Sequence, residues 1–415
     1  MKPVLLVNPR SEFLADPAFV PPLGLLYLGA ALEGAGREAE VVDLNLPSAE
    51  LAGHDPCLIG ITCVTAQFVA ARDLIAKCRD LYPGVPVVVG GPHLSVRDDA
   101  ARLGADYGVS GDGENWIVAY AEDRVRAVDP APVDVDRYPF PARHLVPMGE
   151  YTCQVDGDWA TSIVSQRGCP YACAFCSRWP ATRDVRARAV PNVIEEVCDL
   201  KTQGYSSLVF HDDEMNLLKA RLLVLCREME PLGVRFKANA RADLFRAGQA
   251  EALARAGCSW LCFGVESGSA SILRAVHKGT TPDDNVRARR LCREVGIKFK
   301  AFVVLGLPGE TRQTVEETRT WLIDNEVDDL TVTMLVPYPG SDIHDHPGRY
   351  DVRFLLDYEH RGIPFRGAAG LDLAHTTRTA GIDEVELASL PERVEDSVRR
   401  ALGMTRSTSG KEVCS

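Results

Sequence analysis

The sequence lacks any apolar run of the roughly 18–20 residues that a membrane-spanning helix requires. Its first segment, MKPVLLVNPRSEF, carries one lysine and a short apolar run, which is too short for the core of a signal peptide and is typical of an N-terminal strand. An apolar fraction of 46% is that of an ordinary soluble protein. We therefore expect a cytoplasmic protein with no membrane partner.

The sequence also lacks an excess of positive charge. It has 46 Lys and Arg residues against 58 Asp and Glu residues, which gives a formal net charge of −12. Such an acidic balance disfavours non-specific binding to nucleic acid. A local exception is RWPATRDVRARA, at residues 178–189, which is either a solvated face or a surface that meets an electron donor or an anionic substrate.

The 13 cysteines are odd in number, which argues against a fully paired disulfide framework. In a cytoplasmic protein most of them would be reduced thiols. Three of them, Cys169, Cys173 and Cys176, lie within RGCPYACAFCSRW at residues 167–179. This C-x3-C-x2-C spacing is the most informative short pattern in the chain.

Strand-like and helix-like segments alternate twice along the chain. Through about residue 120 they predict a doubly wound, Rossmann-like α/β domain at residues 1–126. A proline-rich linker at residues 127–155 follows. Six further βα units predict a partial (β/α)6 barrel at residues 156–345, because eight would close a full barrel. Residues 346–415 form a short, mostly helical extension, in which DEVELASLPERVEDSVRRALG is typical of one or two surface helices.

The three clustered cysteines directly follow the first barrel strand, which places them at the carboxyl end of the barrel. Three thiolates can hold a [4Fe–4S] cluster and leave one iron open to a small ligand, since the cube normally takes four cysteines. A zinc site would need a fourth ligand, and residues 177–197 contain no Cys or His. Burial of the three thiols as plain apolar side chains is the other alternative.

The pattern C-x3-C-x-aromatic-C resembles the cluster motif of the radical S-adenosylmethionine (SAM) superfamily. The segments SLVFHDDEMN, KANARADLF, GVESGSASILRAVHKGTT, AFVVLGLPGETRQTVEET and PYPGSDIH resemble successive strand ends of that family's barrel. In the N-terminal half, PPLGLLYLGAALEGAG, GITCVTAQF, GGPH and GDGE resemble the cobalamin-binding domain fused to many of these enzymes. Together the two halves resemble the B12-binding, class B-like group of radical SAM enzymes.

This resemblance implies three cofactors: a [4Fe–4S] cluster on the three cysteines, SAM on its open iron, and cobalamin in the N-terminal domain. Reductive cleavage of SAM would give a 5′-deoxyadenosyl radical, which takes a hydrogen atom from a small-molecule substrate. A flavodoxin- or ferredoxin-type protein would supply the electron. The resemblance assigns SAM contacts to strand-end residues, namely Phe175, Asp213, Glu214, Arg241, Glu266, Ser267 and Gly306.

Simpler interpretations of these residues remain open. Asp213 could cap a helix, Arg241 could form a surface salt bridge, and Gly306 could belong to a simple tight turn. The resemblance assigns cobalamin contacts to Pro22, Leu23, Gly24, Thr62, Thr65, Gly90, Gly91, His93, Gly111 and Glu114. His93 could equally be a loop histidine that binds nothing.

One departure from the pattern concerns the cobalt. The chain has no D-x-H-x-x-G motif, so no histidine is evident as the lower cobalt ligand. Two functions follow from the resemblance: cobalamin-dependent C-methylation, or a non-methylating dehydration, deoxygenation, epimerisation or rearrangement of a sugar-like substrate beside an empty B12-type domain. An iron–sulfur redox sensor is a third, non-enzymatic alternative.

Overall fold

A computed structural model describes residues 2–122, 134–177, 183–354, 358, 377–378, 382 and 384–404. Among these residues no helix is both long enough and apolar enough to cross a membrane. Two main sheets organise the described chain, one in each half; the first is parallel and the second is parallel except for one edge strand.

The N-terminal domain is built on a five-stranded parallel sheet in the order β2-β1-β3-β4-β5. Its strands are β1 (Val4–Asn8), β2 (Ala39–Asp43), β3 (Leu58–Thr62), β4 (Val87–Gly90) and β5 (Tyr107–Gly108). The short apolar runs VLLVN and LIGIT form central strands because both of their faces are covered.

Helices cover this sheet on both sides. They are α1 (Leu23–Gly34), α2 (Phe68–Leu81), α3 (Pro92–Val96), α4 (Ala100–Leu103) and α5 (Glu114–Ala121). Leu5 and Val7 pack in a cluster with residues of α2 to α4, whereas Val4 and Leu6 pack in a second cluster with residues of α1 and α5. The alternation of side chains along β1 therefore supplies both core layers, and the prediction of a doubly wound domain is confirmed.

The second sheet is a partial barrel in the order β14-β13-β12-β11-β10-β7-β6. Its strands are β6 (Gln154–Val155), β7 (Asp158–Ile163), β10 (Ser207–Phe210), β11 (Arg235–Ala240), β12 (Cys258–Glu266), β13 (Lys298–Leu305) and β14 (Asp329–Met334). Six of these strands run parallel, and β6 adds antiparallel to β7 at one edge. The predicted six-unit partial barrel is confirmed.

Helices follow the barrel strands and bury their apolar faces against the sheet. They are α6 (Val190–Thr202), α7 (Lys219–Met229), α8 (Ala247–Arg255), α9 (Ala270–Ala275), α10 (Pro282–Val295) and α11 (Arg312–Asp324). Between β7 and α6 in the chain, β8 (Gln166–Arg167) and β9 (Arg186–Ala187) pair antiparallel and form the two-stranded β8–β9 ladder. The cysteine loop lies between these two short strands.

The described part of the predicted linker is not an independent spacer. Arg143 reaches into the barrel and donates to Glu196 Oε1 at 2.7 Å, and Arg188 donates to Glu196 Oε2 at 2.5 Å. All three side chains are buried. Residues 154–155 form β6 of the barrel sheet, and residues 127–133 of the linker lie outside the described residues. Ala142 of the same linker donates its N–H to Leu26 O of the N-terminal domain at 3.0 Å. The linker thus contacts both domains, while the domain boundaries themselves stay predictions.

Helix α12 (Asp342–Asp345) lies at the end of the predicted barrel. The predicted C-terminal extension contains the two-residue strands β15 (Arg353–Phe354) and β16 (Thr377–Arg378), and α13 (Glu384–Ala401). The last helix corrects the prediction of a surface helix or two. It is one helix that continues through Pro391, and its apolar residues pack into the barrel core beside β14. Leu387, Leu390, Val394 and Val398 are the buried residues of this face.

Candidate functional site

The carboxyl ends of strands from both sheets border one cavity between the two domains. Its volume is about 710 Å³. Ligands of open α/β sheets bind at such strand ends. Residues of the N-terminal domain, the β8–β9 ladder and the cysteine loop all line it, including Leu23, Gly24, Thr62, Gly90, Gly91, Gly111, Glu114, Cys176 and Asp213.

The N-terminal side of this cavity is a cradle of glycines. A Cβ on Gly24 would meet no heavy atom within 4 Å, so the helix start at this position is open to a ligand. Gly91 has a φ of +99°, and a Cβ there would lie 2.9 Å from Thr62 Oγ1. Only glycine tolerates this conformation without strain. The apolar lining from Leu23, Ile117 and Val109 beside these glycines fits a large flat ligand such as a corrin ring.

His93 and Thr65 lie in a buried polar cluster beside the cavity. The His93 side chain is fully enclosed, and its ring nitrogens lie 3.1 Å from Thr65 Oγ1 and 3.2 Å from Asp99 Oδ2. Tyr358 also donates to Asp99 Oδ2 at 2.8 Å. Burial lowers the pKa of His93 despite the nearby Asp99 carboxylate. Both side chains belong to this packed polar cluster and neither lines the cavity, while their contact with cobalamin stays a prediction. Pro22 precedes α1 and does not line the cavity either.

The three thiols of the cysteine loop differ in how far they are exposed. Cys169 is buried, whereas Cys173 and Cys176 are partly exposed, and Cys176 lines the cavity. The backbone N–H of Ala174 donates to Val276 O at 2.9 Å, which ties the middle of the loop to the chain that follows α9. Phe175 packs against the apolar cluster that contains Ala174.

The donor set fits a [4Fe–4S] cube better than a single metal ion. Soft thiolate ligands suit iron–sulfur clusters and zinc. Among the described residues no group of three Cys, His, Asp or Glu side chains surrounds one point as a bound ion would require. In a cube each cysteine binds a different iron, so the three sulfur atoms need not converge on one point. Three thiolates in one loop therefore suit a cube as its protein ligands.

A set of buried charges lies beside the cysteines. Lys278 donates to Glu266 Oε1 at 2.8 Å, and both side chains are buried. Burial opposes the charge on Lys278, but the carboxylates of Glu266 and Glu214 raise its pKa overall, so it stays protonated. Burial raises the pKa of Glu214 to about 7, although Lys278 and Arg241 act in the opposite direction. The barrel top thus presents both signs of charge, as a zwitterionic ligand requires.

Arg241 lies close to the cysteine loop. Its Nη1 is 4.0 Å from Cys173 Sγ, and its guanidinium carbon is 3.5 Å from the centre of the Tyr171 ring. It also forms an ion pair with Asp243 at 2.7 Å and donates to Lys278 O. Because the Arg241 side chain is only 2% exposed, the alternative of a surface salt bridge is wrong.

The other predicted SAM residues differ in whether they line the cavity. Asp213 lines it, and its carboxylate accepts from Gly168 N at 3.2 Å. Helix α7 begins after Leu218, so Asp213 is not its cap. Ser267 is fully buried, and its hydroxyl lies 3.0 Å from Thr318 Oγ1, which directs it toward α11. Gly306 has a φ of +82°, and its N–H donates to the buried carboxyl of Glu310.

Sequence reasoning missed three charged residues at this site. Lys278 stands in the quoted segment AVHKGTT, Arg167 stands two residues before Cys169, and Asp112 is the acid between the glycines of GDGE. Their positions inside motif segments were a usable signal. Their partners lie in distant parts of the chain, which the sequence alone did not reveal.

Comparison with known proteins identifies both halves. Residues 163–322 match the family model of the radical SAM superfamily, and residues 16–121 match that of the B12 binding domain. The chain therefore contains a radical SAM domain that follows a B12-binding domain. It is a radical SAM enzyme, and its two domains make a [4Fe–4S] cluster, SAM and cobalamin its cofactors, as predicted.

Three similar proteins show the extent of the likeness. An uncharacterized methyltransferase of Pyrococcus horikoshii is 29% identical over 79% of this chain and 78% of its own length. An anaerobic magnesium-protoporphyrin IX monomethyl ester cyclase of Rubrivivax gelatinosus is 27% identical over 82% of this chain and 68% of its own length. The solved structure of TsrM from Kitasatospora setae, a radical SAM methyltransferase with cobalamin and a [4Fe–4S] cluster bound, has 25% identity and a TM-score of 0.68 over 84% of this chain and 78% of its own.

Proposed function

We propose that this protein is a cobalamin-dependent radical SAM C-methyltransferase that acts on a small molecule. The observation that carries the proposal is that the glycine cradle of the B12-binding domain and Cys176 of the cysteine loop line the same cavity. A methyl carrier on one wall and a radical source on the other would both reach a substrate between them. Such positioning is the main contribution of a protein to cofactor chemistry.

Within this proposal the three cysteines hold the cluster. Asp213, Glu214, Arg241 and Glu266 supply the charged groups around the SAM amino acid part, with Phe175 and Gly306 beside it. On the other wall, Leu23, Gly24, Thr62, Gly90, Gly91, Gly111 and Glu114 hold cobalamin. His93, Thr65 and Ser267 are left out of the contact sets because their hydroxyls and ring nitrogens already bond to protein groups.

The bound cofactors would supply a methyl group and a hydrogen-abstracting radical. The chain's own residues orient and protect them. Arg241 and Lys278 keep positive charge next to Cys173, which offsets the negative charge of a thiolate-bound cluster. The apolar wall formed by Leu23, Val109 and Ile117 excludes water from one side of the cavity.

The relatives support methylation without naming a substrate for this chain. The Pyrococcus protein and TsrM carry the description methyltransferase, whereas the Rubrivivax protein is described as a cyclase. A non-methylating reaction is therefore the outcome against which the proposal must be tested. An electron donor of flavodoxin or ferredoxin type remains part of the proposal.

The test begins with protein purified without oxygen, with its cluster rebuilt, and with SAM, reductant and cobalamin added. Tight corrinoid binding, with S-adenosylhomocysteine formed alongside 5′-deoxyadenosine, supports methylation. Formation of 5′-deoxyadenosine alone by protein that binds no corrinoid would overturn the proposal in favour of the non-methylating reaction. Absence of any SAM cleavage would leave the redox-sensor alternative standing instead.

A matched pair of variants tests the cradle itself. Gly24 and Gly248 are each the second residue of a helix, both are exposed, and a Cβ at either position meets no heavy atom within 4 Å. Gly24→Phe fills the cavity and should weaken cobalamin binding by at least about tenfold, equivalent to about 1.4 kcal/mol. Gly248→Phe lies on the outer face of α8 and should leave binding unchanged. Equal affinities of the two variants would refute the cradle assignment.

A further inference from the structure

The cysteine loop is closed at its base by the β8–β9 ladder. Gln166 pairs with Ala187 and Arg167 pairs with Arg186, antiparallel. Cys169 follows Arg167 by two residues, so the ladder fixes where the loop begins. Any group that holds both strands of the ladder therefore also sets the position of the thiols.

Asp112 of the N-terminal domain holds both strands at once. Its Oδ1 accepts from Arg167 Nη1 at 3.0 Å and from Arg186 Nη2 at 3.3 Å, and its Oδ2 accepts from Arg186 Nη1. The Asp112 side chain is only 11% exposed. One carboxylate thus joins the B12-binding domain to both stems of the cysteine loop.

The surrounding charges make this connection strong. Glu114 accepts from Arg167 Nη2 at 3.1 Å, and the Arg167 guanidinium stacks on the Tyr27 ring at 5.0 Å. Two arginines and two carboxylates balance each other in a largely enclosed place. Removal of one partner from such a group leaves a charge without compensation, which is costly in the protein interior.

The same segment borders the cradle. Gly111 N donates to Ser95 Oγ at 3.0 Å, and Ser95 in turn donates to Gly91 O at 3.3 Å. Two hydrogen bonds therefore link Gly91, at one wall of the cavity, through Ser95 to Gly111, and Asp112 is the next residue in the chain.

We propose that Asp112 is a positioning residue that couples cobalamin binding in the N-terminal domain to the state of the cysteine loop in the barrel. This inference rests on the proposed function, since it takes cobalamin as the ligand of the cradle. Coupling between two sites is reciprocal, so a loop ordered by its cluster should raise the affinity for cobalamin. Typical coupling amounts to about 5–150-fold, and we expect about tenfold here.

The experiment titrates hydroxocobalamin into cluster-free and cluster-loaded full-length protein and follows its absorbance without oxygen. In the wild type, the cluster-loaded form should bind about tenfold more tightly. In Asp112→Asn the two forms should agree within about twofold, because the amide no longer balances the two arginines. Asp55→Asn is the matched control: Asp55 forms an exposed ion pair with Lys2 in the same domain, and its variant should keep the wild-type ratio.

A second readout does not depend on affinity. The low-temperature electron paramagnetic resonance signal of the reduced cluster should shift when cobalamin is added to the wild type but not to Asp112→Asn. Arg186→Gln removes one strand's contact only, and should also lose the affinity ratio. It serves as the deciding variant if Asp112→Asn does not fold.

The outcomes separate the two proposals. Wild-type protein that binds no cobalamin in either form would overturn the proposed function and the coupling with it. Wild-type protein that binds cobalamin equally well in both forms, or an Asp112→Asn variant that keeps the tenfold ratio, would overturn the coupling alone. Loss of the ratio in Asp112→Asn or Arg186→Gln, with Asp55→Asn unchanged, supports it.

Discussion

Glu310 provides a prediction that needs no cofactor. Its carboxyl group is fully buried behind the turn at Gly306, whose N–H donates to it. Burial raises the pKa of Glu310 to about 8, although the backbone hydrogen bonds from Gly306 and Leu307 act in the opposite direction. In the unfolded chain the group returns to the ordinary value of about 4.3.

The direction of the pH dependence of stability follows from proton binding in the folded and unfolded states. Between pH 5 and pH 8 the folded protein keeps the proton on Glu310 and the unfolded chain does not, so the folded state binds more protons. The stability contributed by this group is therefore fully present below about pH 4 and is lost as the pH rises through about 8. Between pH 6 and pH 8 we expect the free energy of unfolding to fall by about 2 kcal/mol. The slope is about 1.4 kcal/mol per pH unit, and it becomes smaller as the pH approaches the pKa of the folded state.

Glu310→Gln removes this titration and keeps an acceptor for Gly306 N–H. The assay is urea unfolding of the reduced, cluster-free protein at pH 6, 7 and 8, followed by circular dichroism and tryptophan fluorescence. From pH 6 to pH 8 the free energy of unfolding of the variant should fall by about 2 kcal/mol less than that of the wild type. Glu316→Gln is the control, because Glu316 is exposed on α11 and pairs with Arg319. The reasoning would be refuted if Glu310→Gln kept the full pH dependence of the wild type.

Three further substitutions follow from the structure. Glu196→Gln leaves the buried guanidinium groups of Arg143 and Arg188 without their carboxylate and should lower the free energy of unfolding by about 3–5 kcal/mol in urea; a loss below about 1 kcal/mol would contradict this. Leu387→Ala should cost about 2–5 kcal/mol and lower the melting temperature, because α13 packs into the barrel core; an unchanged melting temperature would mean that α13 is dispensable. His93→Phe should lower the free energy of unfolding by about 1–3 kcal/mol and leave the affinity for cobalamin within about twofold of the wild type. A tenfold loss of affinity would instead indicate that His93 contacts cobalamin.

The sequence predicted the fold well where local pattern determines it. Short β-branched runs such as VLLVN and LIGIT alternate with helical segments, and each became a buried parallel strand. The six barrel strands followed from the same alternation. The tail segment was predicted as one or two surface helices, and it is one helix that passes through Pro391. The helical spacing of four apolar residues does predict one apolar face, which the structure buries: Leu387, Leu390, Val394 and Val398.

The site was only partly predictable, because its contacts join distant parts of the chain. Asp112 and Arg186 are 74 residues apart, and no local pattern reveals their pairing. His93 follows the two glycines of the cradle, but whether its ring turns to the ligand or to the core depends on Asp99 and Tyr358. The assignments of cluster, SAM and cobalamin residues stay predictions.

The central claim is that three cysteines hold a cluster whose open iron binds SAM, and one comparison tests it most directly. Cys173→Ala and, as a control, Cys198→Ala are rebuilt with iron and sulfide, and iron content and the rate of 5′-deoxyadenosine formation are measured. Cys198 is exposed on α6, outside the loop. We predict that Cys173→Ala loses the cluster and SAM cleavage while Cys198→Ala keeps both. SAM cleavage by Cys173→Ala at the wild-type rate would contradict the account.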